Sequence, residues 1–203
     1  MLESQSKSSH TPLELNYAIY QARNKGAFKT TRTAKHGTSA RLLRYQTQDR
    51  GQLIDATMLL AYPDVGSDPK SFPILLVLHG TAGFNDACAP SKGAAEADDV
   101  LGGFTDEVSI LVSLFASLGY IVAAPDYIGL KSLGSPTGFL HPYLVAEPTA
   151  IASLDAVRAA KKQLAGSNIT PGDVVVMGGS QGGHAAAFVN RYQPHYAPEI
   201  TIK

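Results

Sequence analysis

Asp173-Val-Val-Val-Met177, followed by Gly178-Gly-Ser-Gln-Gly-Gly183, is the stretch of this 203-residue chain that decides the fold. A short continuous apolar run of this kind predicts a strand that is buried on both faces of a sheet. The glycine-rich segment after it leads into a predicted helix from about Gln181 to Tyr192. The sequence therefore predicts a sharp strand-to-helix turn centred on Ser180.

The serine in this turn, Ser180, forms a Gly-x-Ser-x-Gly pattern with Gly178 and Gly182. Such a turn strains the serine backbone and exposes its hydroxyl, and its neighbours are small because the strand and helix backbones nearly touch. Gly183 extends this small surface by one residue. The N-terminal amides of the new helix point at negative charge that develops beside Ser180. We expect Ser180 to be a catalytic nucleophile; the alternative is an incidental serine in a glycine-rich turn.

Strands and helices alternate ahead of this turn, which predicts βαβ crossovers and a mostly parallel sheet. The predicted elements are a strand at Pro73–His79, a helix at Thr105–Leu118 capped by Thr105, a strand at Tyr120–Ala124 and a helix at Glu147–Ala165. Two β-leaning runs, Leu42–Gln48 and Gln52–Tyr62, are joined by Asp49-Arg50-Gly51. They predict a hairpin with a three-residue connection at the antiparallel edge of the sheet. A further β-leaning run starts at Glu199.

The chain divides by composition at about residue 40. Residues 1–40 are polar and weakly periodic, and we expect an N-terminal arm with loose structure and one short helix near Leu13–Ala22. Residues 41–203 are expected to form the N-terminal portion of an α/β domain. Its sheet should carry helices on both faces, and its C-terminal strands are expected to be missing from this chain.

The loop after the first buried strand contains His79-Gly80-Thr81. Ligands of open α/β sheets bind beyond the carboxyl ends of the strands, so this loop and the turn at Ser180 should lie at the same edge. We expect the backbone amides of Thr81 and Gln181 to form an oxyanion hole. The His79 side chain is expected to brace its own loop.

The composition excludes several classes of function. Lys and Arg together number 17, and so do Asp and Glu, so no basic stripe indicates a nucleic-acid partner. No apolar run approaches the roughly 20 residues that span a membrane, and the first residues as written lack the apolar stretch of a signal peptide. The single cysteine, Cys88, and the scattered histidines have no metal-ligand spacing, so we expect no metal.

Four motifs occur in one order along residues 41–203: HGTAG followed by CAPS at Cys88–Ser91, APDYIGL at Ala124–Leu130, HPYL at His141–Leu144, and GGSQGGHAA at the turn. Together they resemble the secretory-lipase-type α/β-hydrolases of bacteria and fungi. The resemblance implies an α/β-hydrolase fold, hydrolysis of small-molecule or lipid esters with short or medium acyl groups, no cofactor, and often export to the periplasm or medium. Related α/β-hydrolases include peptidases, so an amide substrate remains an alternative.

Residues near the ends of the other strands have less specific roles. Tyr127 is expected to line the substrate pocket and donate a hydrogen bond near the substrate, with simple packing as the alternative. Asp126 is expected to stabilise its loop, and His141 is expected to be structural. His184 lies one helical turn after Ser180 and should point along the helix toward the core, which makes it a poor general base.

A serine nucleophile needs a histidine base and an acid that orients it, in the chain order Ser, acid, His. After Ser180 the only acid is Glu199, and no histidine follows it. We therefore expect this chain to be the N-terminal fragment of a longer enzyme whose C-terminal part supplies both residues. The alternative is a non-catalytic binding module of the same fold.

Overall fold

The computed structural model describes residues 3–24, 26, 31–93 and 107–203. The described strands are β1 (Glu3–His10), β2 (Thr38–Asp49), β3 (Gln52–Pro63), β4 (Lys70–Leu78), β5 (Ile121–Pro125) and β6 (Ile169–Gly178). The described helices are α1 (Pro12–Asn24), α2 (Glu107–Ser117), α3 (Ala146–Leu164) and α4 (Gln181–Tyr196), with a 3-10 turn at Asp86–Cys88. The predicted alternation of strands and helices is confirmed, whereas the predicted cap Thr105 lies outside the described residues.

The six described strands form one mixed sheet in the order β1-β2-β3-β5-β4-β6. The pairs β1/β2, β2/β3 and β3/β5 are antiparallel, and β4 pairs in parallel with both β5 and β6. The parallel part therefore carries the crossovers through α2 and α3, with β4 at its centre. The predicted run from Glu199 contributes one parallel bridge, between Ile202 and Val174 of β6.

The β2–β3 hairpin has a tighter connection than the sequence suggests. Asp49 pairs directly with Gln52, so the connection contains only Arg50 and Gly51. Their φ angles are 49° and 79°. A two-residue turn with positive φ at both positions matches the right-handed twist of the strands that it joins. The predicted hairpin is confirmed, but its predicted three-residue connection is wrong.

Helices cover both faces of the sheet, as predicted. On one face, α3 and α4 bury alanine and aliphatic side chains such as Leu154 and Val189 against the strands. On the other face, Val112 and Ala116 of α2 pack on β3, β4 and β5. Burial of this apolar surface on both sides stabilises the strands that end at the predicted site.

The first forty residues contain more regular structure than expected. Strand β1 pairs with β2, and α1 confirms and lengthens the short helix predicted near Leu13–Ala22. The sequence of β1, ESQSKSSH, is entirely polar. It pairs with β2 through the backbone ladder, and side-chain hydrogen bonds such as that from Arg41 to the Ser4 hydroxyl add to it. Loose structure was therefore the wrong expectation here, because an edge strand needs no apolar alternation. The division of the chain at residue 40 stays a prediction.

Strand β6 is less buried than its apolar sequence predicts. Within Asp173–Met177 only Val174 is buried, and Val175 has an exposed fraction of 37%. Strand β4 covers one edge of β6, whereas the described residues contribute only the Ile202 bridge to the other edge. Successive side chains of a strand point to opposite faces of the sheet. Val174 packs in the core that contains residues of α3 and α4, whereas Val175, on the opposite face, belongs to no core cluster of the described residues.

Candidate active site

The turn between β6 and α4 places Ser180 in a conformation that few residues adopt. Ser180 has φ 54° and ψ −122°, and it is the N-cap residue of α4. A positive φ is costly for a residue with a side chain, so the surrounding structure must impose it. Ser180 is solvent-exposed at the carboxyl end of β6. The strained, exposed turn predicted from the sequence is therefore present.

Two glycines of the turn are required by close backbone contacts. A Cβ atom at Gly178 would overlap the backbone of Gly182, and one at Gly182 would overlap the carbonyl of Leu78 in β4. A Cβ atom at Gly183 would lie 3.7 Å from the Gly178 oxygen, an ordinary van der Waals contact, and one at Gly179 would contact nothing within 4 Å. The Gly-x-Ser-x-Gly spacing thus has a steric cause. Gly183 extends this small surface, but the contact at 3.7 Å leaves room for a Cβ atom there.

The loop after β4 reaches the turn at Ser180. A Cβ atom on Gly80 would lie 3.7 Å from the Cβ of Ser180. Gln181 is the first residue of α4, and the amide at that position has no acceptor within its own helix. The structure therefore brings the loop that contains Thr81 close to Ser180, which is followed directly by the amide of Gln181. The function of the Thr81 and Gln181 amides as oxyanion donors stays a prediction.

The side chains of His79 and Tyr127 support the loop after β4 through hydrogen bonds and ring packing. The His79 Nδ1 atom lies 2.6 Å from the Gly80 carbonyl oxygen, and its Nε2 lies 3.2 Å from the Asp126 carbonyl oxygen. Burial lowers the pKa of His79. Tyr127, which has a positive φ of 70°, packs its ring 4.2 Å from that of His79. The bracing function expected for the His79 side chain matches these contacts.

The Tyr127 hydroxyl is not directed at a substrate. Tyr127 is fully buried, and its hydroxyl donates a hydrogen bond of 3.3 Å to the His79 carbonyl oxygen. In this structure the Tyr127 hydroxyl therefore bonds to the protein backbone, where the sequence predicted a hydrogen bond to a substrate. Its position as a wall of the substrate pocket stays a prediction.

Asp126 ties together three segments that are distant in sequence. Its buried carboxylate accepts hydrogen bonds from the amide and hydroxyl of Ser91 and from the hydroxyls of Thr57 and Ser132. Burial raises the pKa of Asp126 to about 7, while the Ser91 and Thr57 hydrogen bonds lower it. This network joins the CAPS motif to the APDYIGL motif. The loop-stabilising function expected for Asp126 fits these contacts.

The structure also reveals a contact beside Ser180 that the sequence did not predict. The Gln181 Nε2 atom lies 2.6 Å from the Nε2 of His141, and both side chains are buried. The other ring nitrogen of His141, Nδ1, lies 2.8 Å from the Ile128 carbonyl oxygen. No local pattern could predict the contact, because 40 residues separate the two side chains. The only sequence signal was the co-occurrence of the HPYL motif with glutamine after the serine.

The remaining candidates for a triad, His184 and Glu199, make no hydrogen bond to Ser180 in the described part of the chain. Among the described residues, the buried Nδ1 atom of His184 has no hydrogen-bond partner, and the His184 ring packs against Phe188. Glu199 forms an ion pair with Arg158, with 2.7 Å between Oε1 and Nε. Within the described ranges, no hydrogen bond joins the Ser180 hydroxyl to a histidine. The same residues contain no cluster of three metal-binding side chains and no helix long and apolar enough to cross a membrane.

A family model for secretory lipases matches residues 99–203, slightly more than half of the chain. The chain belongs to the secretory lipase family. Lipase 4 of Candida albicans is 33% identical over 114 residues, which are 56% of this chain and 23% of that protein. This secretory-lipase chain spans about a quarter of the length of the curated relatives it matches.

Solved structures show the fold of this family member. A ligand-bound form of the rice cell wall degrading esterase LipA from Xanthomonas oryzae is 26% identical, with a TM-score of 0.74, and the match covers 98% of this chain and 47% of that one. Candida antarctica lipase A shares the fold at 19% identity and a TM-score of 0.63, over 98% and 39% of the two chains. The chain has the α/β-hydrolase fold predicted from its motifs.

Proposed function

We propose that this chain carries the nucleophile and the oxyanion hole of a serine carboxylic-ester hydrolase. The observation that carries the proposal is the conformation of Ser180, a positive φ at an exposed strand-to-helix turn in which Gly178 and Gly182 cannot be larger. Strain of this kind persists only where the surrounding structure imposes it, and it is concentrated at functional sites. Membership of the secretory lipase family supports esters as the substrate class.

In the proposed reaction, the Ser180 hydroxyl oxygen attacks the ester carbonyl carbon, and the tetrahedral intermediate places its negative charge between the amides of Thr81 and Gln181. Collapse of the intermediate releases the alcohol and leaves an acyl group on Ser180, which water then removes. Ser180 has no histidine partner among the described residues. We therefore assign the general base and its acid to a part of the whole protein outside residues 1–203.

Exposed apolar side chains near the oxyanion loop support an ester with an acyl chain. Phe84, Leu140 and Leu144 have exposed fractions of 55%, 75% and 46%. The segment that contains Leu140 and Leu144 contacts Phe84 directly. The His141 amide donates a hydrogen bond to the Phe84 carbonyl oxygen, and the Phe84 ring packs edge-on to Tyr143. Apolar surface of this kind binds the hydrocarbon part of a substrate by removing it from water.

The experiment that tests the proposal compares two serine variants of the complete protein that contains this sequence. Ser180→Ala should abolish hydrolysis of p-nitrophenyl butyrate, whereas Ser135→Ala, in an exposed loop, should leave the rate unchanged. Near-normal turnover by Ser180→Ala would remove Ser180 from the mechanism. A wild-type protein that is folded and inert toward esters would instead support the binding-module alternative, and one that cleaves only p-nitroanilides would support a peptidase.

A further inference from the structure

His141 makes polar contacts with three separate segments around the proposed oxyanion hole. Its ring contacts Gln181 at the start of α4 and the Ile128 carbonyl oxygen after β5. Its backbone amide donates a hydrogen bond of 2.9 Å to the Phe84 carbonyl oxygen, in the loop that contains Thr81. One residue thus links the two segments that carry the proposed donor amides.

The hydrogen bonds of the His141 ring fix which atom donates. The Ile128 carbonyl can only accept, so His141 carries its proton on Nδ1, and Nε2 is left as an acceptor. The Gln181 side chain then donates from its Nε2. Burial lowers the pKa of His141, which keeps the ring in this neutral form.

The Gln181 side chain depends on this single contact for its orientation. Its Oε1 atom is buried and has no hydrogen-bond partner among the described residues. The His141 ring itself is held in place, because it lies parallel to the buried ring of Tyr127, at 5.8 Å with an interplanar angle of 9°. The fixed His141 ring therefore restricts the position of the Gln181 side chain. Through that side chain it also restricts the first peptide group of α4.

The other side of the proposed hole is attached to the same segment. The Tyr143 hydroxyl lies 2.9 Å from the Thr81 hydroxyl oxygen, two residues after His141 in the chain. The segment His141–Tyr143 therefore contacts the side chains of both residues whose amides are the proposed donors.

We propose that His141 is a positioning residue, which holds the amide of Gln181 at a fixed distance from the Thr81 loop and so keeps the oxyanion hole assembled. The inference rests on the proposed function of Ser180. His141 touches no reacting atom and acts only through Gln181. Since an oxyanion exists in the transition state and not in the bound ester, loss of this positioning should lower kcat and leave KM unchanged.

Three substitutions in the complete protein test the proposal. His141→Asn keeps a donor for Ile128 but loses the acceptor for Gln181, and kcat should fall about 10- to 100-fold. His141→Gln places an amide oxygen near the position of Nε2, and it should restore most of that loss. Gln181→Met keeps the backbone amide and removes the side-chain donor, so it should match His141→Asn. His195→Asn, at an exposed position late in α4, is the matched control and should be unchanged.

The double variant His141→Asn/Gln181→Met gives the sharpest test. If the two side chains act through one contact, kcat of the double variant should equal that of either single variant. The proposal would be overturned if the losses in kcat were additive, if only KM changed, or if kcat of Gln181→Met were unchanged. The result for Gln181→Met is decisive even if His141→Asn fails to fold. Fluorophosphonate labelling of the wild type separates the two claims. A wild type that does not label at Ser180 contradicts the proposed function, whereas normal labelling with unaffected variants contradicts only the positioning function.

Discussion

Gly182, in the first turn of α4, lies so close to the end of β4 that a side-chain carbon at position 182 would overlap the carbonyl oxygen of Leu78. Leu78 also pairs with Gly178, the last residue of β6. The strand that leads into the Thr81 loop and the turn that carries Ser180 are therefore in direct backbone contact. This contact sets the distance between the nucleophile and the proposed oxyanion loop.

Gly182→Ala should disrupt the turn, because the new methyl group has no space beside Leu78. Overpacking of this kind costs about 1–3 kcal/mol or more, and we expect a lower free energy of unfolding together with a loss of ester hydrolysis. Urea denaturation and an ester assay measure the two effects. Gly179→Ala is the matched control, because a Cβ atom there meets nothing within 4 Å and the backbone needs no positive φ. Equal behaviour of the two variants would show that the contact with Leu78 does not shape the site.

Thr81→Pro removes the backbone N–H that we assign to the oxyanion hole. The rate of ester hydrolysis should fall by roughly a hundredfold or more, as it does when one donor of such a hole is lost. Thr81→Val keeps the N–H and removes only the hydroxyl that contacts Tyr143, so it should lose far less. A circular dichroism melt checks that both variants are folded. A folded Thr81→Pro variant with normal turnover would place the donor elsewhere.

Asp126 should make stability fall as pH rises toward neutrality. The pKa of Asp126 is about 7 in the folded chain, above its ordinary value of 3.8. Between pH 3.8 and pH 7, the folded state therefore keeps a proton on Asp126 that the unfolded state has lost. The free energy of unfolding then decreases with rising pH across this window, on the order of 2–3 kcal/mol between pH 5 and 8.

The measurement is a pair of urea titrations at pH 5 and pH 8. Asp126→Asn is a neutral isostere of the protonated acid, so it should lack the part of the pH dependence that Asp126 contributes. Asp68→Asn, at an exposed position, controls for the general effect of removing a carboxylate. An unchanged pH dependence in Asp126→Asn would show that the carboxyl group is ionised across this range.

The central part of the fold could be predicted from the sequence because each signal was local. The apolar run before Gly178 marked β6, and the Gly-x-Ser-x-Gly spacing marked the turn, because each pattern is complete within a few consecutive residues. This holds even though Gly182 owes its small size to a contact with Leu78, which is distant in sequence. Strand β1 could not be predicted in this way. Its polar residues pair with residues of β2 that lie 28 to 41 positions away, and backbone pairing produces no apolar periodicity in the sequence.

The contacts that support the candidate site could not be predicted from the sequence either, because they also join residues that are distant in the chain. Asp126 bonds to Ser91 and Thr57, which are 35 and 69 residues away, and His141 meets Gln181 across 40 residues. These residues belong to different strands, loops and helices, and only the folded sheet brings them together. The sequence indicated which edge of the sheet holds the site, and the side-chain network had to come from the structure.

Residues 1–203 on their own should show little ester turnover, because the Ser180 hydroxyl has no histidine partner among the described residues. The edge of β6 that is paired only through the Ile202 bridge among the described residues, together with the exposed Val175 side chain, should also favour self-association. Size-exclusion chromatography and a p-nitrophenyl ester assay of this segment, beside the complete protein, measure both properties. Rapid Ser180-dependent turnover by the segment alone would show that a base within it, such as His141 or His184, serves the serine.

Covalent labelling tests the central claim, that Ser180 is the nucleophile, most directly. The complete protein is treated with a fluorophosphonate, digested, and analysed by tandem mass spectrometry. An activated serine displaces fluoride and retains the phosphonyl group, whereas ordinary serines do not react. We predict one modified serine, Ser180, with loss of ester hydrolysis in proportion to labelling and no adduct in Ser180→Ala. An adduct on another serine that tracks the loss of activity, or an active enzyme that resists labelling, would contradict this claim.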